Sequence, residues 1–181
     1  LSMITSMRGS SARMRSAAAR PDASDTQEKA AGDWVSAWDR QTEAWLRKEI
    51  ARAFPGHAFV GEESAGAEPL SPYNAAEWCW LVDPIDGSMN FLRGYPQYAV
   101  SIALLHHGEP VAGVIADPTR GEVFSAAAGR GATLDGHPLQ VAPTSSLGRA
   151  VAGTVFPKPH AAALPGYLEQ LGRVMVTTAG V

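Results

Sequence analysis

Hydrophobic residues recur with a helical spacing early in the chain. Over Trp38–Phe54 most apolar residues stand three or four positions apart, with charged residues such as Glu43 between them, which predicts an amphipathic helix. Pro55–Gly56 should end this helix, because neither residue continues one easily. His57–Val60 is then predicted to be a short strand that leads into a loop at Glu62.

Later in the chain, short apolar runs alternate with turn residues and predict an antiparallel meander. The predicted strands are Tyr98–His106, Pro110–Ala116, Gly121–Ala126, Ala132–Leu134 and His137–Val141. Asp135-Gly136 separates the last two and favours a two-residue hairpin turn. Beyond the meander the pattern predicts a short strand at Ala150–Val155, a helix at Ala161–Leu171 and the beginning of another strand at Arg173–Thr178.

The stretch around Asp83 carries the candidate chemistry. The apolar run Trp78–Val82 predicts a buried strand that stops at this carboxylate, and Pro84 should prevent further strand pairing. Asp86 follows three positions later, and Gly87–Ser88 should let the backbone approach a ligand, with Ser88 capping a short helix that favours an anion. Two carboxylates beside an anion cradle suit Mg²⁺ bound to a phosphate, although an Asp-rich turn after a strand is the simpler interpretation.

Three ordered segments resemble the inositol monophosphatase family of Mg²⁺-dependent, lithium-sensitive phosphatases. Trp80–Phe91 resembles its D-P-I/L-D-G-S/T-x-N-F signature, Phe59–Ser64 its G-E-E segment, and Asp33–Asp39 its D-x-V-S/T-x-x-D segment. The predicted meander, including Gly113–Pro118, is also similar to the sheet of the family. The resemblance covers about residues 26 to 156.

The resemblance implies a magnesium site built from residues in two of these segments. Glu62, Asp83 and the backbone carbonyl of Ile85 would hold a first Mg²⁺, and Asp83 and Asp86 would hold a second. Taken alone, Glu62 could be a solvated loop acid. Asp83 is harder to explain in that way, because an acid at the end of a buried strand needs a positive partner.

The resemblance also assigns residues to water and phosphate. Glu62 would help to orient the attacking water, and the Ser88 hydroxyl and Asp39 would pair to polarise it. The backbone N–H groups of Gly87 and Ser88 would bind phosphate oxygens. Simpler roles are open for two of these residues, since Asp39 could be a helix N-terminal charge and Ser88 a plain N-cap.

The implied fold is the α+β sugar-phosphatase fold, an antiparallel sheet flanked by helices. We expect an atypical N-terminal tail over residues 1–25, a metal- and phosphate-binding α+β domain over 26–148, and the beginning of an incomplete C-terminal α/β domain over 149–181. The family's W-D-x-A/G-A-G segment, whose Asp completes the second metal site, is not found in this sequence. We therefore expect a truncated chain with impaired activity.

The function implied by the resemblance is Mg²⁺-dependent hydrolysis of inositol 1-phosphate. Histidinol phosphate, fructose 1,6-bisphosphate and a nucleotide 3′-phosphate are alternative substrates among relatives with this signature. A hypothesis of another class is a noncatalytic remnant that serves as a protein-interaction or dimerisation module. In either case the resemblance implies a homodimer, with a small phosphate monoester as the partner of the enzyme.

Composition narrows the remaining possibilities. The 181 residues are 45% hydrophobic, enough for a core, and 15 basic against 18 acidic residues with no basic stripe give no support to a nucleic-acid partner. The single cysteine, Cys79, falls in the buried strand and allows no disulfide. No apolar stretch is long enough for a bilayer, so we expect a cytoplasmic protein. The histidines lack zinc-motif spacing, and His106–His107 is predicted to lie in a turn, so the sequence predicts no zinc chemistry.

Overall fold

The computed structural model describes residues 26–30, 33–65, 76–155 and 162–181, with side chains from Ala37 onward. The predicted N-terminal tail lies outside these residues. The chain divides into two compact units. Among the described residues, the larger unit comprises those between Thr26 and Lys29 and between Asp33 and Leu139, and the smaller comprises Ala30 and those between Gln140 and Val181.

The larger unit holds nine strands and three helices among its described residues. Their bounds, in chain order, are β1 Thr26–Ala30, β2 Asp33–Ser36, α1 Ala37–Ala53, β3 Ala58–Gly61, α2 Glu62–Ala65, β4 Trp78–Asp86, α3 Ser88–Arg93, β5 Ala99–His106, β6 Glu109–Asp117, β7 Glu122–Ala127, β8 Gly131–Leu134 and β9 His137–Leu139. Strands β1 and β2 form a two-stranded sheet. The other seven form one sheet in sequence order from β3 to β9.

The seven-stranded sheet is mixed. The strands from β4 to β9 pair antiparallel throughout, which confirms the meander predicted over Tyr98–Val141, but β3 pairs with β4 in parallel. A parallel neighbour cannot be reached through a tight hairpin, and here α2 and the residues after it separate the two strands. The α+β fold is therefore confirmed, with one parallel pair at the edge of the expected antiparallel sheet.

Two-residue turns join two pairs of neighbouring strands. Asp135 and Gly136 have φ angles of 51° and 85°, which confirms the predicted hairpin between β8 and β9. His107 and Gly108 have φ angles of 50° and 81° between β5 and β6. Positive φ at both positions twists the chain in the same sense as the strands, so these turns fix the strand register.

Helix α1 packs on the sheet and supplies the centre of the core. Its apolar spacing is confirmed, and Leu46 and Ile50 join a cluster of buried side chains from the strands. The strand members of this cluster are Val82, Val100, Ile102, Ala116 and Val123. The helix also buries two acids, Asp39 at 0% and Glu43 at 4% exposure. The expectation that Glu43 is a polar spacer was wrong, because its position falls on the buried side of the helix.

Strand β4 is longer than predicted. Pairing was expected to end at Asp83, but β4 continues to Asp86. Asp83 is paired with Ser101 of β5, and Asp86 is paired with Ala99. The chain therefore advances three residues on β4 where it advances two on β5. This extra residue is a bulge, which accommodates the missing N–H of Pro84 and tilts the end of the strand.

The smaller unit departs most from the expectations. It contains a 3-10 turn at Leu147–Arg149 and helix α4 at Leu164–Thr177, so the residues predicted to begin a strand at Arg173 are helical. At Ala150–Val155 the structure has an isolated bridge, Val151↔Gly180, in place of a strand. The β-branched residues near the end of α4 favour a strand locally. The continuing helix overrides that preference, and the Thr177 hydroxyl donates to the Arg173 carbonyl at 2.9 Å.

Asp117 organises the turn between β6 and β7. Its Oδ1 accepts hydrogen bonds from the Thr119 N–H at 2.8 Å and the Arg120 N–H at 3.0 Å, and its Oδ2 pairs with the Arg120 guanidinium. Burial by itself raises the pKa of Asp117, but the hydrogen bonds from Thr119 and Arg120 outweigh it and lower the pKa to about 2. Arg120 also donates to the Gln97 side chain at 3.2 Å, which ties the turn to the loop after α3.

We expect Asp117→Asn to lower the free energy of unfolding by about 1 to 2 kcal/mol near neutral pH, because the charged acceptor is lost. The folded pKa, about 2, lies below the ordinary value of 3.8, so the ionised carboxylate stabilises the fold. That contribution is complete above the ordinary pKa and disappears as the pH falls through the folded one. Urea unfolding curves of variant and parent should therefore converge on acidification. Glu109→Gln, at an exposed position, is the control, and a difference independent of pH would contradict the assignment.

Candidate active site

Three carboxyl groups crowd the end of β4. Asp83 is half-buried, and its Oδ1 accepts a hydrogen bond from the Ile85 N–H at 3.1 Å. Burial, the charge and hydrogen bond of the Glu62 carboxyl, and the charge of Asp86 raise the pKa of Asp83 to about 8, against the opposing effect of the Ile85 N–H. The surroundings of Asp83 therefore oppose its ionisation.

The parallel pairing of β3 and β4 brings these acids together. Gly61, the last residue of β3, is paired with Val82, so the next residues along the two strands, Glu62 and Asp83, lie side by side. The carboxyl ends of parallel strands meet at one edge of a sheet, where α/β proteins commonly bind ligands. The bulge in β4 then adds Asp86 to the same end of the strand. Glu62 begins the short helix α2, and the expectation of a loop there was wrong.

A second polar group joins α1 to the same region. The Ser88 hydroxyl oxygen lies 2.7 Å from Asp39 Oδ1 and 2.9 Å from the backbone carbonyl oxygen of Ile85. Asp39 lies in the first turn of α1 and is fully buried. Residues 49 positions apart therefore share a hydrogen bond beside the acid cluster. The hydrogen bond to Ser88 gives the buried Asp39 carboxylate a partner outside its own helix.

Gly87, and not the predicted Ser88, occupies the N-cap position of helix α3. It is the N-cap residue of α3, with φ 89°, and Ser88 is the first residue of the helix. The prediction that Ser88 caps α3 was wrong, because its hydroxyl bonds to Asp39 and Ile85 instead. A Cβ at Gly87 would lie 3.0 Å from the Gln97 carbonyl oxygen, so only glycine fits here without strain.

Glu43 is a structural residue of the site that the sequence pattern missed. Its buried carboxylate accepts a hydrogen bond from the Glu63 N–H at 2.7 Å. The same carboxylate packs on Gly61, where an added Cβ would lie 2.2 Å from the Glu43 side chain. Glu43 thereby fixes the start of α2, where Glu62 lies. Its spacing, four residues after Asp39 and three before Leu46, is the signal that places it on the buried face.

The arrangement of donors suits a hard cation. Carboxylate and carbonyl oxygens are the ligands that Mg²⁺ prefers, and burial together with the neighbouring acids Glu62 and Asp86 raises the pKa of Asp83. In the described part of the chain, however, the three donors whose atoms all lie within 4.8 Å of one another are Glu77, His106 and His107, and not the three acids. Of the predicted site residues, the structure joins Glu62 with Asp83 and Asp39 with Ser88.

Comparison with known proteins identifies the family of the chain. The sequence model of the inositol monophosphatase family matches residues 3–171. The chain belongs to this family. None of its helices in the described ranges has the length and apolar character needed to cross a bilayer.

The relatives in this family carry two kinds of name. The chain is 38% identical over 164 residues to a putative Nus factor SuhB of Neisseria meningitidis, covering 91% of this chain and 61% of the relative. It is also 38% identical over 153 residues to an inositol-1-monophosphatase of Rhizobium meliloti, covering 84% and 56%. Among solved structures, an IMPase of Thermotoga maritima aligns with a TM-score of 0.80 at 25% identity, covering 98% of this chain and 65% of that one. The chain thus spans about 60% of the length of the first two of these relatives.

We expect Gly61→Ala to destabilise the chain by about 1 to 3 kcal/mol, because the new methyl group overlaps the buried Glu43 carboxylate and must displace it. Gly113→Ala is the matched control, since a Cβ there meets only the Ile102 carbonyl oxygen at 3.8 Å. Thermal melts followed by circular dichroism measure both. Equal melting temperatures for the two variants would show that Glu43 moves away without cost.

Proposed function

We propose that this chain is a Mg²⁺-dependent phosphomonoesterase that hydrolyses inositol 1-phosphate or a similar sugar or polyol phosphate. The observation that carries the proposal is the Ser88–Asp39 hydrogen bond of 2.7 Å beside the Glu62–Asp83 carboxyl pair. Membership of the inositol monophosphatase family and relatives named inositol-1-monophosphatase support the same reaction class.

The acid cluster is the proposed cation site. Glu62, Asp83, Asp86 and the carbonyl oxygen of Ile85 would hold Mg²⁺. When bound, Mg²⁺ neutralises charge on the phosphoryl group and makes a bound water more acidic. The raised pKa of Asp83 supports this assignment, because burial and the neighbouring Glu62 and Asp86 carboxyl groups oppose its negative charge, which a cation would favour.

Ser88 and Asp39 are proposed to direct the attacking water. The Ser88 hydroxyl has one proton and two acceptors within reach, Asp39 Oδ1 and the Ile85 carbonyl oxygen. If the carbonyl is engaged as a ligand, the proton goes to Asp39. The lone pairs of the Ser88 oxygen are then available to accept a hydrogen bond from water, with the Asp39 carboxylate increasing their basicity.

The start of α3 is proposed to bind the phosphate through the N–H groups of Gly87 and Ser88. The left-handed conformation of Gly87 and the absence of a side chain there support this, because they leave the backbone accessible at the N-cap. Inositol 1-phosphate leads the substrate hypotheses. Histidinol phosphate, fructose 1,6-bisphosphate and nucleotide 3′-phosphates remain alternatives.

A noncatalytic binding role is the second candidate, because several relatives are named Nus factor SuhB. An apolar groove of about 330 Å³ on the larger unit is a surface that such a role could use. Three exposed side chains, Ile115, Phe124 and Leu139, line it. Loss of the acid cluster would leave this function intact. The homodimer and the cytoplasmic location also remain predictions.

We expect Mg²⁺ to raise the melting temperature of the chain and to support phosphate release from inositol 1-phosphate. Asp86→Asn should reduce the release by about 100-fold or more, because it removes one of the proposed Mg²⁺ ligands. A 100-fold loss corresponds to about 2.7 kcal/mol of transition-state stabilisation.

Asp83→Asn should abolish the rise in melting temperature caused by Mg²⁺. It should keep or raise the stability of the metal-free chain, because it removes an acid whose ionisation is opposed by its surroundings. Glu109→Gln is the exposed control.

The chain covers 61% of the SuhB relative from Neisseria meningitidis and 56% of the inositol-1-monophosphatase from Rhizobium meliloti. Phosphate release and Mg²⁺ binding are therefore measured separately, so that binding is detected even where turnover is slow. A melting temperature unaffected by millimolar Mg²⁺, together with no Mg²⁺-dependent phosphate release, would reject the phosphatase. An Mg²⁺ shift that survives in both Asp variants would instead place the cation elsewhere.

We expect Ser88→Ala to lower the rate of phosphate release by about 100-fold, the lower range for a group that assists proton transfer, and to leave the Mg²⁺ shift in place. Ser88→Thr keeps the hydroxyl and should retain most of the activity. Steady-state kinetics should show the loss in kcat and not in KM. If alanine and threonine reduce kcat equally, the hydroxyl has no part in the reaction.

A further inference from the structure

The second cluster of donors lies at the opposite end of β4. Side-chain donor atoms of Glu77, His106 and His107 all lie within 4.8 Å of one another, and Glu77 Oε1 is 3.9 Å from His106 Nε2. We propose that these three residues form a binding site for a divalent transition-metal ion of the zinc class. This site is separate from the acid cluster and does not depend on the proposed function.

Backbone pairing brings the three residues together. Trp78, the first residue of β4, is paired with His106, the last residue of β5, so Glu77 comes next to the turn that follows. The His107 N–H donates a hydrogen bond to the Glu77 carbonyl oxygen at 2.8 Å, which anchors that turn. The positive φ of His107, 50°, is uncommon for a residue with a side chain. The turn therefore holds both histidines beside the glutamate.

Aromatic stacking restricts the His106 ring before any ion binds. The Trp78 ring lies 4.2 Å from it, at 30° between the planes, and the His57 ring stacks on Trp78 at 5.6 Å. His57 is fixed in turn by a 3.1 Å hydrogen bond from Trp80 Nε1 to its Nδ1. The His107 ring lies 4.4 Å from the His106 ring. Rings held in this way lose less conformational freedom on binding than free side chains do.

The donor set selects the class of ion. Two imidazole nitrogens and one carboxylate oxygen suit zinc, nickel and copper, whereas Mg²⁺ prefers oxygen ligands. Two histidines and a glutamate are also a known set of three protein ligands for zinc, with the fourth position left to water. The Glu77 side chain is 67% exposed, so water can reach the cluster and complete the coordination.

The proposed zinc-class site and the proposed Mg²⁺ site lie at opposite ends of β4. Asp83 is five residues beyond Trp78 along β4, which corresponds to roughly 16 Å of extended strand. Substitutions at one end of the strand should therefore leave the ion at the other end undisturbed. His57 accepts a hydrogen bond from Trp80, so its Nδ1 is already occupied, and it is not counted as a ligand.

The test is a titration of the tag-free chain with Zn²⁺, by calorimetry and by the visible absorption of Co²⁺ as a spectroscopic substitute. We expect one saturable site that excess Mg²⁺ does not displace. Glu77→Gln, His106→Gln and His107→Gln should each weaken Zn²⁺ binding by about tenfold or more. His137→Gln, at an exposed position in β9, and Asp86→Asn should leave it unchanged. Circular dichroism of every variant confirms that the fold is retained.

Two results would overturn the proposal. Equal Zn²⁺ affinity in the parent and in all three cluster variants would show that the histidines and the glutamate do not bind the ion. Loss of Zn²⁺ binding in Asp86→Asn, with the cluster variants unaffected, would place the ion in the acid cluster instead. If His106→Gln alone alters the fold, the Glu77 and His107 variants decide the outcome.

Discussion

Burial of the Asp83 carboxyl beside two other acids, at the end of a parallel strand pair, is the constraint around which the candidate site is built. Asp83 is half-buried against Glu62 with Asp86 nearby, and burial and these neighbours together raise its pKa to about 8. Such a cluster costs folding free energy unless a proton or a cation neutralises it. The proposed cation site would account for the retention of these acids at a cost in stability.

The surrounding backbone is adapted to hold that cluster. The bulge between Asp83 and Asp86 absorbs Pro84, and glycine at position 61 makes room for the buried carboxylate of Glu43. That carboxylate in turn fixes the N–H of Glu63. Neither Glu43 nor Gly61 belongs to the predicted ligand set. Their importance lies in the position that they give to Glu62, so a change at either would act on the site through geometry and not through charge.

Strand β4 separates two kinds of chemistry. At its end lie oxygen donors with excess negative charge, and just before its beginning lies a glutamate beside two imidazole rings. Hard and borderline cations differ in their preference for these donors. Strand β4 is the second strand of the seven-stranded sheet and is paired on both sides, by β3 and by β5, so it keeps the two sets of donors apart at its opposite ends.

The sequence by itself determined the elements whose cause is local. The spacing of Leu46 and Ile50 predicted α1, Asp135-Gly136 predicted its hairpin, and the Asp83-Pro84-Ile85-Asp86-Gly87-Ser88 string indicated the family. Tertiary structure decided what depends on distant partners. Examples are the parallel pairing of β3, the burial of Glu43, the bond from Ser88 to Asp39 and the helical state of Arg173–Thr177. Periodicity identifies a face or a turn from neighbouring residues, but the partner that buries a carboxylate or receives a hydroxyl proton comes from elsewhere in the chain. Glu77 illustrates this, since only strand pairing brings it to His106, 29 positions away.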